Sequence, residues 1–453
     1  MIQDPRVDEE QGATARRQRA AIAAVQVLGL AVWFSVSAVV PALREDWGIS
    51  TAGGVWLTGA TQLGFVVGAV ASAALNLADR FPAHRLLAAG AAAAAMCTVG
   101  FALLVDGMGA AIPVRFLTGV CLAGVYPVGM KLMVSWAPSS NRGLALGVLI
   151  GALTLGSITP QLIGGVGDLP WPTVLLIASG LGVLGALVAV LVVRPGPHLP
   201  TAQTLRPRYA VTMFTERGPL LTNLGYFGHM WELYALWVWV PVFLASSPAA
   251  AFLPGSIGLV VFVTMGVCGA IGCLLGGWGA DRFGRPRAAA TALVVSGTCC
   301  VLSPLAFGAG ALLLVPFCAV WGASVIADSG VFSTSLSETA DPRFIGTALT
   351  AQTALGFALT VVSIQVVPMI ADGIGWRYAF LVLAPGPALG ALAMRALDAS
   401  VPLRADAELV DRPEEPKLKE SRQRNLASAR RRVMPHRRQR PSMDDRECPR
   451  MPR

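Results

Sequence analysis

Long apolar runs separated by short charged connections make up most of the chain. Leu86–Leu104, Leu144–Val166 and Ala288–Ile326 contain no ionisable side chain. Each holds one or two segments of roughly 20 residues, the length that crosses a bilayer as a helix. In lipid every backbone amide needs an internal partner, so such runs fold as helices; a lipid-facing barrel would alternate over shorter segments. The pattern predicts an all-α membrane protein with twelve spans. They start near Ala20, Gly53, Leu86, Met108, Gly143, Pro172, Leu220, Gly255, Ala288, Gly310, Ile345 and Tyr378 and are numbered in that order.

The connections sort by charge. One set carries Arg16, Arg17 and Arg19; Arg80 and Arg85; Arg142; Arg194, Arg206, Arg208 and Arg217; Arg282, Arg285 and Arg287; and Arg343. The alternate set has only Arg44 and Arg377 beside Glu45, Asp46, Asp106, Asp168 and Asp372. The positive-inside rule places both termini and residues 195–219 in the cytoplasm. Five regions follow: a cytoplasmic N-terminal segment (1–19), a six-helix half (20–194), a Pro- and Arg-rich linker (195–219), a second six-helix half (220–397) and a disordered basic tail (398–453). The expected location is a bacterial inner membrane.

Composition excludes several classes. Only 13% of residues are charged and 54% are hydrophobic, against about 25% charged in a soluble protein. The net charge of +9 is explained by the cytoplasmic Arg excess, so nucleic acid is not expected as a partner. Seven of eight cysteines lie inside apolar runs, without metal-ligand or disulfide spacing, and read as small buried hydrophobes. No cofactor, metal or nucleophile–base constellation is expected, and no Gly-x-x-x-x-Gly-Lys-Ser/Thr loop occurs.

The two halves share a repeat. Ala-Asp-Arg-Phe occurs at Ala78–Phe81 and Ala280–Phe283, roughly two hundred residues apart, each time at the end of an apolar run. Gly-rich helices follow Arg142 and Arg343, and Trp171 and Trp376 open spans 6 and 12. Parallel six-span repeats are a transporter plan. Across roughly residues 20–397 the chain resembles the major facilitator superfamily. The element Gly277-Trp-Gly-Ala-Asp281-Arg282-Phe-Gly284-Arg285-Pro-Arg287 is similar to that family's loop between spans 8 and 9. In the first copy, around Asp79 and Arg80, Pro82 and Ala83 replace Gly and Arg. The resemblance implies two six-helix bundles, a cavity lined by spans 1, 4, 7 and 10, and gating roles for Asp79, Arg80, Asp281, Arg282, Gly284 and Arg285. In span 5, Gly147, Gly151 and Gly156 precede Pro160, a small-residue spacing suited to close helix packing. It is similar to a span-5 motif of proton-linked antiporters, except that Pro160-Gln161 stands where they have Gly-Pro.

Ionisable residues near mid-bilayer cost at least ~2.5–3.5 kcal/mol and are functional candidates by default. Arg115 lies in span 4, on a face continued by Gly119, Leu122, Tyr126 and Gly129. Arg115-Phe-Leu-Thr-Gly119 resembles the family's span-4 Arg motif, which implies anion binding or proton coupling. Lys131 lies near the cytoplasmic end and is expected to snorkel. In span 7, His229 and Glu232 share a helical face at i, i+3; Glu232 is placed to pair with Arg115 or to exchange that partner for a proton or substrate, and His229 to relay the proton. Trp237 and Trp239 suit either substrate stacking or interface anchoring. Asp328 in span 10, Trp33 in span 1 and Gln62 in span 2 complete the candidate substrate-binding and proton-coupling set.

The reading is a secondary transporter, not an enzyme. It moves a small solute, a small anion or organic acid, by alternating access coupled to protons, as a monomer in the lipid bilayer. A second reading is a proton-linked efflux antiporter. A third, of another class, is a membrane sensor signalling through its basic tail. Deleting residues 399–453 separates the classes: solute uptake into cells survives the truncation in a transporter, and its loss would favour the sensor.

Overall fold

The computed structural model describes residues 5–138, 141–167, 169–198 and 206–410, and every regular element among them is helical. Eleven helices are long and apolar enough to cross a membrane. The twelfth is span 7, Arg217–Ser246, which is 30 residues long. Its polar and aromatic side chains lower its hydropathy below that of the others. The remaining spans are Ala52–Ala74, Ala83–Leu104, Met108–Ser135, Arg142–Gly165 and Trp171–Leu191 in the first half, after span 1 (Gly12–Trp47). In the second half they are Ile257–Phe283, Arg285–Phe307, Ala311–Thr339, Pro342–Ile374 and Trp376–Ser400.

Spans 1, 4 and 10 are discontinuous, and span 12 is interrupted by the 3-10 segment Phe380–Leu383 and a turn at Ala384. Span 1 breaks between Leu30 and Ser35, span 4 between Leu122 and Tyr126, and span 10 at Asp328. Local chemistry sets many helix ends. Ser50 and Ser256 cap spans 2 and 8 by accepting the backbone N–H of Gly53 (3.1 Å) and Leu259 (3.2 Å). Gly284 turns the chain from span 8 into span 9 at φ +93°, a conformation that other residues adopt only under strain. In the first copy Pro82 occupies that place, and its ring locks φ near −65°. The chain turns instead at Asn76, φ 50°, before a short helix Leu77–Arg80.

Glycines let helices touch backbone to backbone. A Cβ at Gly64 or Gly119 would collide with the carbonyls of Phe116 or Thr61, joining spans 2 and 4. Gly272 and Gly276 in span 8 meet the carbonyls of Ala323 and Ala327 in span 10 in the same way. Between the halves, span 5 packs on span 8 from end to end: Gly147 faces Cys273 and Gly277, Gly151 faces Ala270, and Gly165 accepts a hydrogen bond from Ser256 Oγ at 2.6 Å. Gly156 packs instead on Val27 of span 1, and Pro160 is buried within span 5.

Helices run across two of the expected region boundaries. Span 1 is already helical from Pro5, inside the segment assigned to 1–19, and the last helix runs from Pro385 to Val410, past the expected start of the tail at 398. A truncation that spares this helix begins at residue 411. Asp168, residues 199–205 of the linker and residues 411–453 of the tail lie outside the described residues. The linker's far part is anchored on the second half: Tyr209 Oη accepts the Asp341 N–H at 2.8 Å, and Arg206 N donates to Thr347 Oγ1 at 2.9 Å.

Gly272→Ala is expected to destabilise the fold by about 1–3 kcal/mol through overpacking. Gly279→Ala in the same helix, where nothing lies within 4 Å, is the control. Thermal unfolding of the solubilised protein checks this; equal unfolding temperatures would contradict the packing.

Candidate functional site

The breaks in spans 1 and 4 serve each other. Breaking a helix frees carbonyls that lipid cannot satisfy. In span 1 the freed Trp33 carbonyl accepts Arg115 Nη2 from span 4 at 2.7 Å. In span 4 the Val125 carbonyl, which already accepts the Gly129 N–H at 2.9 Å, also accepts Gln26 Nε2 from span 1 at 3.2 Å. Arg115 is 0% exposed, and its Nε and Nη1 have no hydrogen-bond partner. Among the described residues its guanidinium has no carboxylate partner. An unpaired buried cation costs several kcal/mol.

Beside Arg115 lies an aromatic cluster contributed by both halves. Trp33 and Phe34 come from the break in span 1 and Phe65 from span 2. Tyr234 and Trp237 come from span 7 and Phe357 from span 11. Phe65 meets Phe357 at 4.4 Å between ring centroids. The Trp33 ring lies 4.9 Å from Phe65, 5.6 Å from Phe357 and 6.3 Å from Tyr234, which it stacks at 29°. Trp237 meets Phe34 edge-on at 6.0 Å. All six are buried. Tilted and edge-to-face pairs at 4.5–7 Å are worth about 0.5–1.5 kcal/mol each, so this plug holds the two halves together. The indole N–H groups of Trp33 and Trp237 and both amide atoms of Gln62 are buried without partners, leaving polar groups within an otherwise apolar lining.

The second half carries a different buried cluster. His229 Nδ1 of span 7 lies 2.8 Å from Asp328 Oδ1 at the break in span 10, and both side chains are 1% exposed. Glu232, one turn further along span 7, turns away from the first half. Its Oε1 accepts Trp321 Nε1 at 2.6 Å and Cys300 Sγ at 3.2 Å, and its Oε2 accepts Ser296 Oγ at 2.9 Å. The expected Glu232–Arg115 pair therefore does not form. Three donors from spans 9 and 10 hold the carboxyl inside its own half, while Arg115 turns to the span 1 carbonyl. His229 pairs with Asp328 rather than sharing a site with Glu232.

The end that bears the two Ala-Asp-Arg-Phe copies is closed by polar contacts. Asp281 Oδ2 accepts the Leu144 N–H at 3.1 Å, capping span 5 from the other half, where a carboxylate also favours the positive helix dipole. Gly143 leaves room for that carboxylate. Arg285 pairs with Glu338 of span 10. The first copy behaves differently: Asp79 pairs with Lys131, whose Nζ also donates to the Ala78 carbonyl at 2.9 Å, all within the first half. Lys131 is thus a partnered charge instead of a snorkelling one. Arg80 and Arg282 are exposed, the latter 5.8 Å from the Phe283 ring. In the nearby connection between spans 10 and 11, Arg343 pulls the Asp341 carboxyl down to about 2.

Of the residues singled out from sequence, Arg115, Trp33 and Gln62 lie in the first half, with Arg115 bonded at Trp33. Tyr126 is buried at the break in span 4, near Cys273 of span 8. His229 and Asp328 form a separate pair. Trp237 joins the aromatic plug, and Trp239 is buried, donating to the Ile364 carbonyl at 2.8 Å; neither is an interface anchor. Sequence reading missed Phe34, Phe65, Tyr234 and Phe357 as plug residues, because an aromatic in an apolar run has the same signature whether it faces lipid or the partner half.

Residues 22–364 match the family described as Major Facilitator Superfamily. The chain is 25% identical over 303 residues to the gallate transporter of Pseudomonas putida, a match covering 58% of this chain and 65% of that protein. It is 27% identical over 285 residues to the 4-hydroxybenzoate transporter PcaK of Pseudomonas aeruginosa, covering 54% and 61%. The matched part spans less than two thirds of the length of these relatives. The fold is similar to that of the proton:xylose symporter XylE bound to 6-bromo-6-deoxy-D-glucose, with a TM-score of 0.65, 15% identity and coverage of 85% of this chain and 96% of that one. It is also similar to FucP in the outward conformation, with a TM-score of 0.60, 14% identity and coverage of 85% and 99%.

Removing the interdomain cap should loosen this end of the molecule. Asp281→Ala is expected to forfeit about 0.5–2 kcal/mol, raising exposure of the interface about 2- to 30-fold. Maleimide labelling of Cys273, which is buried between spans 5 and 8, followed by peptide mass spectrometry, measures it. Unchanged labelling would show that Asp281 does not hold the gate.

Proposed function

The chain belongs to the major facilitator superfamily, and on that premise we propose that it is a secondary transporter of small organic anions, with aromatic carboxylates as the class its buried site fits. The observation that carries this reading is Arg115, a fully buried cation with two free nitrogens, bonded to the backbone of an aromatic plug resident. A guanidinium recognises a carboxylate through paired, charge-assisted hydrogen bonds. The rings of Trp33, Phe65, Tyr234 and Phe357 match a flat hydrophobic body attached to that carboxylate, and the unpartnered Gln62 amide and indole N–H groups match ring hydroxyls. The transported compounds named for the two relatives, gallate and 4-hydroxybenzoate, have this shape: one carboxylate on a hydroxylated ring.

The two six-helix halves, 20–194 and 220–397, rock about the plug. The end with Asp79 and Asp281 faces the cytoplasm of a bacterial inner membrane, with both termini on that side. Asp281 and Arg285 latch the inner gate; Asp79 and Arg80 belong to a weakened first copy. Protons supply the energy. For one proton per monovalent anion the pH difference is the driving force, and each pH unit is worth about 1.4 kcal/mol, roughly a tenfold solute gradient. The protein acts as a monomer.

Ligand-induced thermal stabilisation and fluorescence titration test the anchor. 4-Hydroxybenzoate and gallate should bind, and the corresponding neutral amides and cyclohexanecarboxylate should bind more weakly. Arg115→Ala should weaken carboxylate binding on the order of 30-fold or more, since an unpaired buried charge partner is worth about 2–5 kcal/mol; Arg115→Lys should restore only part of it. Full-affinity binding of the amides, or of the acids to both Arg115 variants, would sink the reading.

A further inference from the structure

We infer that the coupling proton binds in the second half, at His229–Asp328, apart from the anion anchor in the first half; this rests on the anion-transport reading above. The internal repeat supplies the argument. The same spacing, 203 residues (229 − 26 and 328 − 125), separates Gln26 from His229 and Val125 from Asp328. At the break in span 4 a neutral amide, Gln26, meets a backbone carbonyl at 3.2 Å. At the equivalent break in span 10 an imidazole meets a carboxylate at 2.8 Å. The first half shows that a neutral contact suffices to hold such a break. The second half replaces it with a pair that gains or loses a proton, buried to 1% exposure at a cost that structure alone does not require.

The surroundings suit proton exchange. Neither His229 ring nitrogen has a hydrogen-bond partner, and neither does Asp328 Oδ1, so the 2.8 Å approach is a close contact of two ionisable groups with hydrogen-bonding capacity to spare. The titratable groups facing the pair are Tyr226 and Glu232 of span 7, Cys273 of span 8 and, beyond Tyr226, Tyr126 of span 4. None is a permanent cation, so nothing there replaces the proton's charge. Glu232 is held by three donors inside its own half. The pair also reaches the plug: the Tyr226 ring lies 6.2 Å from His229 and packs on Gly356, next to Phe357.

Charge balance then enforces coupling. A proton on neutral His229 makes an imidazolium facing carboxylate, taking the pair from −1 to 0. A monovalent carboxylate on Arg115 takes that site from +1 to 0. Both together leave the mid-membrane charge unchanged, whereas either alone changes it by one and is penalised in lipid. The empty and the doubly loaded forms are the ones that reorient, giving one proton per anion with no net charge moved.

Proteoliposomes loaded with 4-hydroxybenzoate test this. Wild-type accumulation should follow the pH gradient, about tenfold per pH unit for one proton per anion, and should not respond to a potassium-diffusion potential. Asp328→Asn and His229→Gln should each abolish acid-driven accumulation; exchange of labelled for unlabelled anion should survive in Asp328→Asn, whose anion-loaded form is neutral, and be slowed in His229→Gln, where the Asp328 carboxylate stays unbalanced. Substrate-free protein supplies a readout that does not depend on the anion: acid-minus-alkaline infrared difference spectra should contain histidine ring bands that His229→Gln removes. Accumulation that follows the membrane potential, or that persists in Asp328→Asn, overturns the assignment. So does loss of coupling in Glu232→Gln with coupling kept in Asp328→Asn. Wild-type protein that binds no aromatic carboxylate but shows the histidine bands would sink the substrate reading and leave the proton site standing.

Discussion

A helix broken inside a bilayer must find partners for its freed carbonyls, and in this protein the helices that line the centre find them in each other. Arg115 of span 4 bonds the Trp33 carbonyl of span 1, and Gln26 of span 1 bonds the Val125 carbonyl of span 4. This exchange fixes the relative height of two spans. It turns the Trp33 and Phe34 rings toward the other half and holds a guanidinium where lipid cannot hydrate it. Removing Arg115 would leave the Trp33 carbonyl unsatisfied in hydrocarbon, a penalty of several kcal/mol, whereas the Val125 carbonyl would keep the Gly129 N–H. The proposed anion site and the integrity of the first half therefore rest on the same bond, which leaves two guanidinium nitrogens free.

The plug and the span 5–span 8 seam divide the work of joining the halves. The seam is built from small residues and closes by backbone contact, so it has little freedom except to slide or separate as a unit. The plug is built from large flat rings in tilted contacts, which can admit another flat ring without losing the character of the packing. The polar cap from Asp281 to Leu144 sits at one end of the seam, where water can replace it when it opens.

The two copies of Ala-Asp-Arg-Phe have diverged in what they hold. Gly284 permits the left-handed turn that presents Asp281 to the opposite half and Arg285 to Glu338. Pro82 forbids that turn, and Asp79 is taken up by Lys131 of its own half. One end of the molecule thus has a single interdomain cap among its described residues. The centre has diverged in the same way: a neutral contact in one half corresponds to an ionisable pair in the other.

The number of spans, the duplication and the identity of the rare buried charges could all be read from the chain, because each depends on composition and spacing along it. Arg115 stood out for the cost of placing a charge in lipid, and Pro82 in the first loop copy marked it as altered. Partners could not be read. Glu232 and Arg115 lie at similar depth, yet depth is one coordinate of three. The azimuth set by glycine-mediated packing of spans 8 and 10 directs Glu232 to Trp321, Cys300 and Ser296 and brings Asp328 to His229. The break at Ala31–Phe34 carries neither glycine nor proline, so nothing local announces it; it exists because Arg115, distant in sequence, satisfies the carbonyl it exposes. Sequence determined which groups would be costly to bury, and tertiary structure alone decided which of them meet, since pairing depends on helix rotation and breaks that are stabilised only by contacts between spans.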